Sequence, residues 1–88
     1  MHWFDWLRLS RLYPRMITPA QCRAARALLR WNQQELAERS EVGANTIKKF
    51  ETEASSPRKS TLKVLRATFE AHGVGFTDEG RGGLWLKG

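Results

Sequence analysis

The sequence predicts a mainly α-helical fold, a compact domain of four to five helices with a C-terminal β-hairpin and a possible N-terminal amphipathic helix. Three observations lead to this prediction. The chain has 88 residues, the size of one compact domain, and 41% of them are hydrophobic, which suffices for a small core. Apolar residues recur at helical spacing from Thr18 to about His72. From Val74 to Leu86 the pattern changes to the alternation typical of short strands.

Net charge narrows the classes of partner. Fifteen Lys and Arg residues oppose nine Asp and Glu residues, which gives a formal net charge of +6. This charge favours nucleic acid or an anionic membrane, and a basic surface kept only for solubility is the alternative. The single cysteine, Cys22, cannot form an internal disulfide, and no Cys/His cluster has zinc-site spacing. We therefore expect a reducing, cytoplasmic compartment, no metal and no cofactor, with Cys22 as a small core residue.

Residues 1–15, MHWFDWLRLSRLYPR, form an aromatic leader whose role the sequence leaves open. Charged residues interrupt its apolar positions, so it does not match a secretory signal, and it falls short of the roughly 18 apolar residues that span a bilayer. A short amphipathic helix here could dock on the domain, mediate dimerisation or touch a membrane weakly. Alternatively, Met16 is the biological start and the leader is incidental. Pro14 ends any such helix and marks the boundary with a domain over residues 16–73.

The first helix of that domain has clear start signals. Thr18 is an N-cap, Pro19 occupies the first helical position, and Gln21 completes the pattern of a capping box. The helix is predicted from Pro19 to about Arg30. Its inward residues are expected to be Cys22, Ala25, Leu28 and Leu29.

The second and third helices follow each other with a very short turn between them. Asn32 caps a helix over Gln33 to about Ser40, and another begins after Gly43. The inward residues of the second helix are Leu36 and Ala37, and Thr46, Ile47 and Phe50 follow helical spacing in the third. Two helices joined by so short a turn cross steeply, which is helix-turn-helix geometry. This geometry projects the third helix as a rod that is narrow enough for the DNA major groove.

A fourth helix and a hairpin complete the predicted domain. Ser60 is expected to cap the helix, which runs to about His72 and stops at Gly73, and His72 is expected to act as a favourable charge at its end. The apolar face of this helix comprises Leu62, Leu65 and Phe69. Residues 74–88 then predict a two-stranded hairpin, which has to pack on the helices or pair with another chain because an isolated hairpin is marginal in water.

The combined pattern resembles the Cro/CI-type helix-turn-helix repressors, or XRE family, over Thr18 to about His72. The matching residues are Arg26, Gln33, Glu35, Leu36, Ala37, Val42, Thr46, Ile47 and Glu51. The resemblance implies a compact Cro/CI-like domain. The sequence departs from the family at Glu41 and Glu53, where glycine is usual. A Glu41 that keeps the positive φ of the family bears strain of about 1 kcal/mol or more, and a remodelled turn is the alternative.

The resemblance also implies roles for individual residues. Ala44, Asn45 and Lys48 match base-reading positions of helix 44–52, where Asn45 can pair with adenine and Lys48 can approach guanine. Arg26 and Glu51 match an internal ion pair between the first and third helices. The residues expected to contact DNA phosphates are Gln33, Lys49, Ser55, Ser56, Arg58 and Lys59. From the residues alone, Asn45 could instead be a polar first-turn residue, the ion pair two solvated charges, and the loop after Glu51 merely solvated.

Two classes of function follow. The first is sequence-specific binding of double-stranded DNA, as a small transcriptional repressor that acts as a homodimer on a two-fold operator. The second is an antitoxin-like protein-binding module that neutralises a partner protein. Enzymatic activity and a small-molecule substrate are not expected, because no paired carboxylates, no nucleophile with a base and no metal-ligand set occur at suitable spacing.

Overall fold

The structure, a computed structural model, describes residues 16–76 and 84–86. Within these residues the chain forms four α-helices and two β-strands. They are α1 Pro19–Leu29, α2 Gln33–Ser40, α3 Ala44–Glu51, α4 Lys59–Ala71, β1 Val74–Phe76 and β2 Leu84–Leu86. This architecture confirms the predicted mainly helical, helix-turn-helix fold. The predicted amphipathic leader, residues 1–15, lies outside the described residues.

Capping motifs at both ends of α1 provide hydrogen-bond partners for backbone groups that the helix itself leaves unpaired. The Thr18 hydroxyl accepts a hydrogen bond from the Gln21 amide at 3.0 Å, and the Gln21 side chain accepts one from the Thr18 amide at 2.9 Å. At the other end Arg30 has a left-handed φ of 58°. Its amide donates to the Ala27 carbonyl at 3.1 Å, while the Trp31 amide donates to the Arg26 carbonyl at 2.9 Å. This arrangement is a Schellman motif, and it ends the helix at Leu29. The end predicted from the sequence, at about Arg30, is one residue later.

The core lies between the helices, and β1 closes one side of it. The buried apolar residues are Ile17, Cys22, Ala25, Leu36, Ile47, Phe50, Leu62, Leu65, Phe69, Val74 and Phe76. The prediction that Leu28 faces inward is wrong, because its exposed fraction is 39%. The buried stripe of α1 follows Cys22, Ala25 and the partly buried Leu29, and Leu28 lies at the edge of that stripe in the last turn.

The corner between α1 and α2 is filled by an aromatic side chain. Trp31 stacks on Phe69 with ring centroids 5.9 Å apart and meets the His72 ring edge-on at 4.8 Å. The Arg39 guanidinium lies 4.6 Å from the centroid of the Trp31 ring. These contacts join the start of α2 to the C-terminal end of α4 through one side chain.

The turn between α2 and α3 keeps the short geometry that the sequence predicts. Asn32 accepts a hydrogen bond from the Glu35 amide at 2.7 Å and caps α2. At its other end, the Ser40 hydroxyl donates to the Leu36 carbonyl at 2.7 Å and accepts from the Val42 amide at 3.2 Å. Glu41 has a φ of 60°, so the turn is not remodelled and a glutamate occupies a left-handed conformation.

A second glutamate takes the same conformation after α3. Glu53 has a φ of 61°, its amide donates to the Phe50 carbonyl at 3.0 Å, and the Ala54 amide donates to the Lys49 carbonyl at 2.8 Å. The pattern is again that of a Schellman motif, in which glycine normally holds the left-handed position because it has no Cβ. The backbone of Glu53 is therefore strained where α3 ends.

The start of α4 differs from the prediction. The helix begins at Lys59 after Arg58, whose backbone is extended and whose side chain makes no capping hydrogen bond. Ser60 is therefore not the cap, because it already lies within the first helical turn. At the other end His72 follows the helix and Gly73 has a φ of 94°, which agrees with the predicted stop at glycine.

The two strands pair in antiparallel fashion. Val74 pairs with Leu86, Gly75 with Trp85 and Phe76 with Leu84. β1 packs on α4 and β2 lies against α1. Residues 77–83, which would form the connecting turn, lie outside the described residues, so the predicted hairpin turn stays a prediction.

Replacing Glu53 by glycine is expected to stabilise the fold by about 0.5–1 kcal/mol, because it removes the Cβ from a left-handed residue. The matched control is Glu38→Gly, at an exposed position inside α2, which is expected to cost about 1 kcal/mol because its backbone is helical. Urea denaturation of both variants measures the two changes. A loss of stability in Glu53→Gly as large as in Glu38→Gly would show that residue 53 is not strained.

Candidate nucleic-acid interface

The carboxylate of Glu51 joins three helices. Its Oε1 accepts hydrogen bonds from Arg26 Nη2 at 2.7 Å and from Gln33 Nε2 at 3.0 Å. Its Oε2 accepts from Arg26 Nε at 2.7 Å and from Cys22 Sγ at 3.1 Å. The Glu51 side chain is 2% exposed and that of Arg26 is 19% exposed. The two residues that the family pattern pairs thus form a bidentate ion pair between α1 and α3, which α2 joins through Gln33.

Backbone carbonyls extend this network. Arg23 Nη1 donates to the carbonyl oxygen of Glu51, in the last turn of α3. Arg26 Nη1 donates to the Trp31 carbonyl at 3.1 Å, in the segment between α1 and α2. A cation at the C-terminal end of a helix satisfies free carbonyls and complements the helix dipole. Arg23 and Arg26 therefore hold both the end of α3 and the connection to α2.

The network sets the protonation of its members. Burial raises the pKa of Glu51, but hydrogen bonds from Arg26, Gln33 and Cys22 outweigh burial and leave its pKa below the ordinary value. The hydrogen bond to Glu51 raises the pKa of Arg26. Burial, followed by the neighbouring carboxylate, raises the pKa of the Cys22 thiol. At neutral pH the site therefore holds an ionised carboxylate, a guanidinium and a neutral thiol that acts as a donor.

The inward face of α3 fixes which residues point outward. Ile47, Phe50 and Glu51 are buried. At about 100° per residue, the direction opposite to them passes through residues 45, 49 and 52. The exposed residues of this helix and its cap are Asn45, Thr46, Lys48, Lys49 and Thr52. We call this set the outer face of α3.

The proposed base-reading residues occupy different parts of this outer face. Asn45 lies near its centre, Lys48 lies on one flank, and the half-buried Ala44 lies at its edge. Lys49, expected only to contact phosphate, follows Asn45 by four residues and shares its central line. The sequence did contain this signal, because the position of Lys49 follows from its spacing to the apolar residues of the helix.

The Gln33 side chain is half-buried and already hydrogen-bonded, unlike a freely exposed phosphate ligand. Its side-chain nitrogen donates to Glu51, and the residue is half-buried at the N-terminus of α2. Glu51, Lys48 and Ala44 occupy the same flank of α3, since they are spaced by three and four residues. The Gln33 carboxamide is therefore held in place beside that flank.

The loop after α3 places polar and cationic residues next to the outer face. The Ser55 amide donates to the Lys49 carbonyl at 3.3 Å, which joins the loop to the end of the helix. The exposed residues that follow α3 in this loop and open α4 include Ser55, Ser56, Arg58 and Lys59. Because Arg58 makes no side-chain cap, the first amides of α4 add positive partial charge beside these side chains.

The part of the chain that the structure describes contains neither a metal-binding cluster nor a membrane-spanning helix. No group of three or more His, Cys, Asp or Glu residues among residues 16–76 and 84–86 could hold a metal ion. No helix in the same residues is long and apolar enough to cross a membrane.

Comparison with known protein families identifies the family of this chain. A family model described as helix-turn-helix matches residues 23–71, which is more than half of the chain. The matched stretch includes Arg26, Gln33 and Glu51, the outer face of α3 and the loop into α4, and Cys22 lies one residue before it. No curated protein matches the sequence.

Removing the cation of the network is expected to destabilise the fold. Arg26→Ala leaves a buried carboxylate with two of its hydrogen bonds lost, which is expected to cost about 3 kcal/mol. Arg30→Ala, which removes an exposed cation directly after the same helix and replaces one left-handed non-glycine residue by another, is the control and is expected to change stability by less than about 0.5 kcal/mol. Chemical denaturation at neutral pH measures both, and equal stabilities would show that the ion pair contributes nothing.

The pH dependence of stability is expected to report Glu51. Because its folded-state pKa is lowered, Glu51 contributes stability that is present above its unfolded pKa of about 4.3 and is lost as pH falls through the folded pKa. Glu51→Gln is expected to be less stable than the parent at pH 7 and to lose less stability on acidification. Urea denaturation between neutral and strongly acidic pH compares the slopes. Parallel curves for the two proteins would contradict a lowered pKa at Glu51.

Proposed function

This chain belongs to the helix-turn-helix family of Cro/CI type and is a DNA-binding protein, and we propose that it reads a specific DNA sequence through the outer face of α3. The observation that carries the proposal is the position of that helix. Glu51 and two apolar residues hold one side of it against α1 and α2, while Asn45, Lys48 and Lys49 are exposed on the other. A helix held in this way can enter the major groove without first becoming ordered.

The chemistry of the outer face suits base recognition. The Asn45 carboxamide can donate to N7 and accept from N6 of adenine in a bidentate pair. Lys48 and Lys49 can each donate to O6 or N7 of guanine, and the Ala44 methyl group can contact the methyl group of thymine. Since Asn45 and Lys49 share the central line, we propose that they contact neighbouring base pairs and that Lys48 reaches the flank.

Phosphate contacts would fix the orientation of α3. The loop residues Ser55, Ser56 and Arg58, together with Lys59, are exposed in the segment that leaves the end of α3, and Gln33 lies at the N-terminus of α2. A net charge of +6 adds a general attraction for the DNA backbone. Contacts of this kind position the protein but carry no sequence information.

We further propose that the protein acts as a repressor, as a homodimer on a two-fold operator. A helix-turn-helix domain reads only a short half-site, and two copies related by a two-fold axis double the number of bases read. Occupancy of such a site would exclude other proteins from it. The antitoxin-like alternative has no specific contact in its favour among the described residues.

Selection of binding sites from random duplex DNA tests the proposal. The wild-type chain is expected to enrich one sequence, arranged as an inverted repeat. Enrichment of no sequence over the starting pool, by a protein that is folded, would contradict sequence-specific reading.

Substitutions on the outer face are expected to reduce sequence preference, whereas substitutions in the loop are expected to reduce affinity for every sequence. Asn45→Ala is expected to cost about 1–3 kcal/mol on the selected site, to relax preference at one position of each half-site, and to change non-specific binding little. Arg58→Ala is expected to weaken all sequences alike and to lower the magnitude of the salt-dependence slope by about one. Fluorescence anisotropy on selected and scrambled duplexes at several salt concentrations measures both variants. Equal weakening of the two duplexes by Asn45→Ala would show that α3 does not read sequence.

A further inference from the structure

α4 presents a second ordered surface, on the side opposite to the core. Its buried residues are Leu62, Leu65, Arg66 and Phe69. The residues farthest from this buried side are Ser60, Val64, Ala67 and Ala71, all of them exposed. Their spacings of four, three and four residues average about 3.7, close to one helical turn, so the four residues form one line along the helix. We call these four residues the α4 seam.

The α4 seam is suited to contact rather than to hydration. Val64 at its centre is 43% exposed, although valine is usually buried. The small side chains of Ala67 and Ala71 permit a second helix to approach within about 8 Å. Beside the seam, the Thr68 hydroxyl donates to the Val64 carbonyl at 2.8 Å, so burial of this hydroxyl would not leave it without a hydrogen bond.

Two charges select the occupant of the seam. Lys63 and Glu70 are seven residues apart and therefore lie on the same flank of α4, each next to a seam residue. If a second α4 packs antiparallel, Lys63 of each copy comes opposite Glu70 of the other, so that the contact contains two identical ion pairs. In a parallel arrangement the flank with Lys63 and Glu70 would instead face the other flank of the second α4, which carries Thr61 and Thr68. The charge pattern is thus complementary to itself about a two-fold axis.

We propose that the α4 seam is the surface through which two copies of this chain associate, with their α4 helices antiparallel. Glu70 already receives a hydrogen bond from Arg66 Nε at 3.2 Å, and its side chain is 45% exposed, which leaves it accessible to a second cation. The proposal identifies the dimer interface that the proposed repressor requires, and it rests on the proposed function only for the two-fold operator.

The size of the seam sets the strength of the dimer. A 13-residue helix is about 20 Å long. One pair of such helices buries less than the roughly 1,200 Å² of a standard stable interface. The dimer is therefore weak in free solution and is completed when both copies occupy adjacent half-sites on DNA.

Sedimentation equilibrium of the full chain over a wide concentration range, without DNA, tests the interface. The wild type is expected to show a monomer–dimer equilibrium, and Val64→Lys to raise the dimer Kd by at least about tenfold. Leu28→Lys, at an apolar position of α1 that is 39% exposed, is the matched control and is expected to leave the Kd unchanged. A wild type that is monomeric throughout, or equal effects of the two lysine variants, would overturn the proposal.

Charge reversal separates the antiparallel interface from general stickiness. Lys63→Glu and Glu70→Lys are each expected to weaken self-association, because each places like charges opposite one another. An equimolar mixture of the two variants is expected to form a heterodimer at least about tenfold tighter than either homodimer, since both pairs become complementary. Thermal melting of each variant accompanies the measurement, because Glu70 also bonds to Arg66. A mixture of folded variants that associates no better than its components would overturn the proposal.

The two proposals fail separately. A wild type that dimerises through the α4 seam but enriches no DNA sequence contradicts the proposed reading function and leaves the interface in place. A wild type that enriches an inverted repeat while Val64→Lys dimerises as well as the parent overturns the interface alone.

Discussion

One buried carboxylate organises this small domain. Glu51 is almost fully covered, yet it stays ionised because side chains from two other helices donate hydrogen bonds to it. Removing a carboxylate from water costs several kcal/mol, and only charge-assisted hydrogen bonds of good geometry offset such a cost. An eight-residue helix is marginal by itself, so the position of α3 depends on its tertiary contacts. Arg26, Gln33 and Cys22 approach the carboxylate from α1 and α2, and together they fix both the rotation of α3 and its position along its axis.

The proposed DNA-binding surface follows from this constraint. With Glu51 directed inward, helical geometry alone turns Asn45 and Lys49 outward. Arg23 at the carbonyl end of α3 and the Schellman motif beyond it then set where the loop toward α4 begins. The same rigid helices place the core-facing side of α4 inward and leave its opposite side, with Val64, in contact with solvent. Reading DNA and pairing with a second copy would therefore use two surfaces whose relative orientation is set by one small core.

Much of this arrangement could be predicted from local sequence, and the exceptions have physical reasons. The caps Thr18 and Asn32 act through the nearest few residues, so their patterns were sufficient to place the starts of α1 and α2. Ser60 is a residue type that often caps helices, but it lies two residues past the actual N-cap, because the helix already begins at Lys59 after the extended Arg58. Whether Leu28 is covered depends on which elements lie beside the last turn of α1, and no local pattern carries that information. The donors Cys22 and Arg23 reach Glu51 across 29 and 28 residues of sequence, a separation at which periodicity says nothing about contact.

The central claim is that the Glu51 network holds α3 rigidly against α1 and α2, and native-state hydrogen exchange of the α3 amides tests it most directly. If the claim is right, the amides of Ile47, Phe50 and Glu51 exchange only through global unfolding, with the same free energy and denaturant dependence as those of Leu36 and Ala25. Under native conditions α3 would then be as protected as the helices that hold it. Exchange of the α3 amides through a local opening, at a lower free energy than α1 and α2, would contradict the claim.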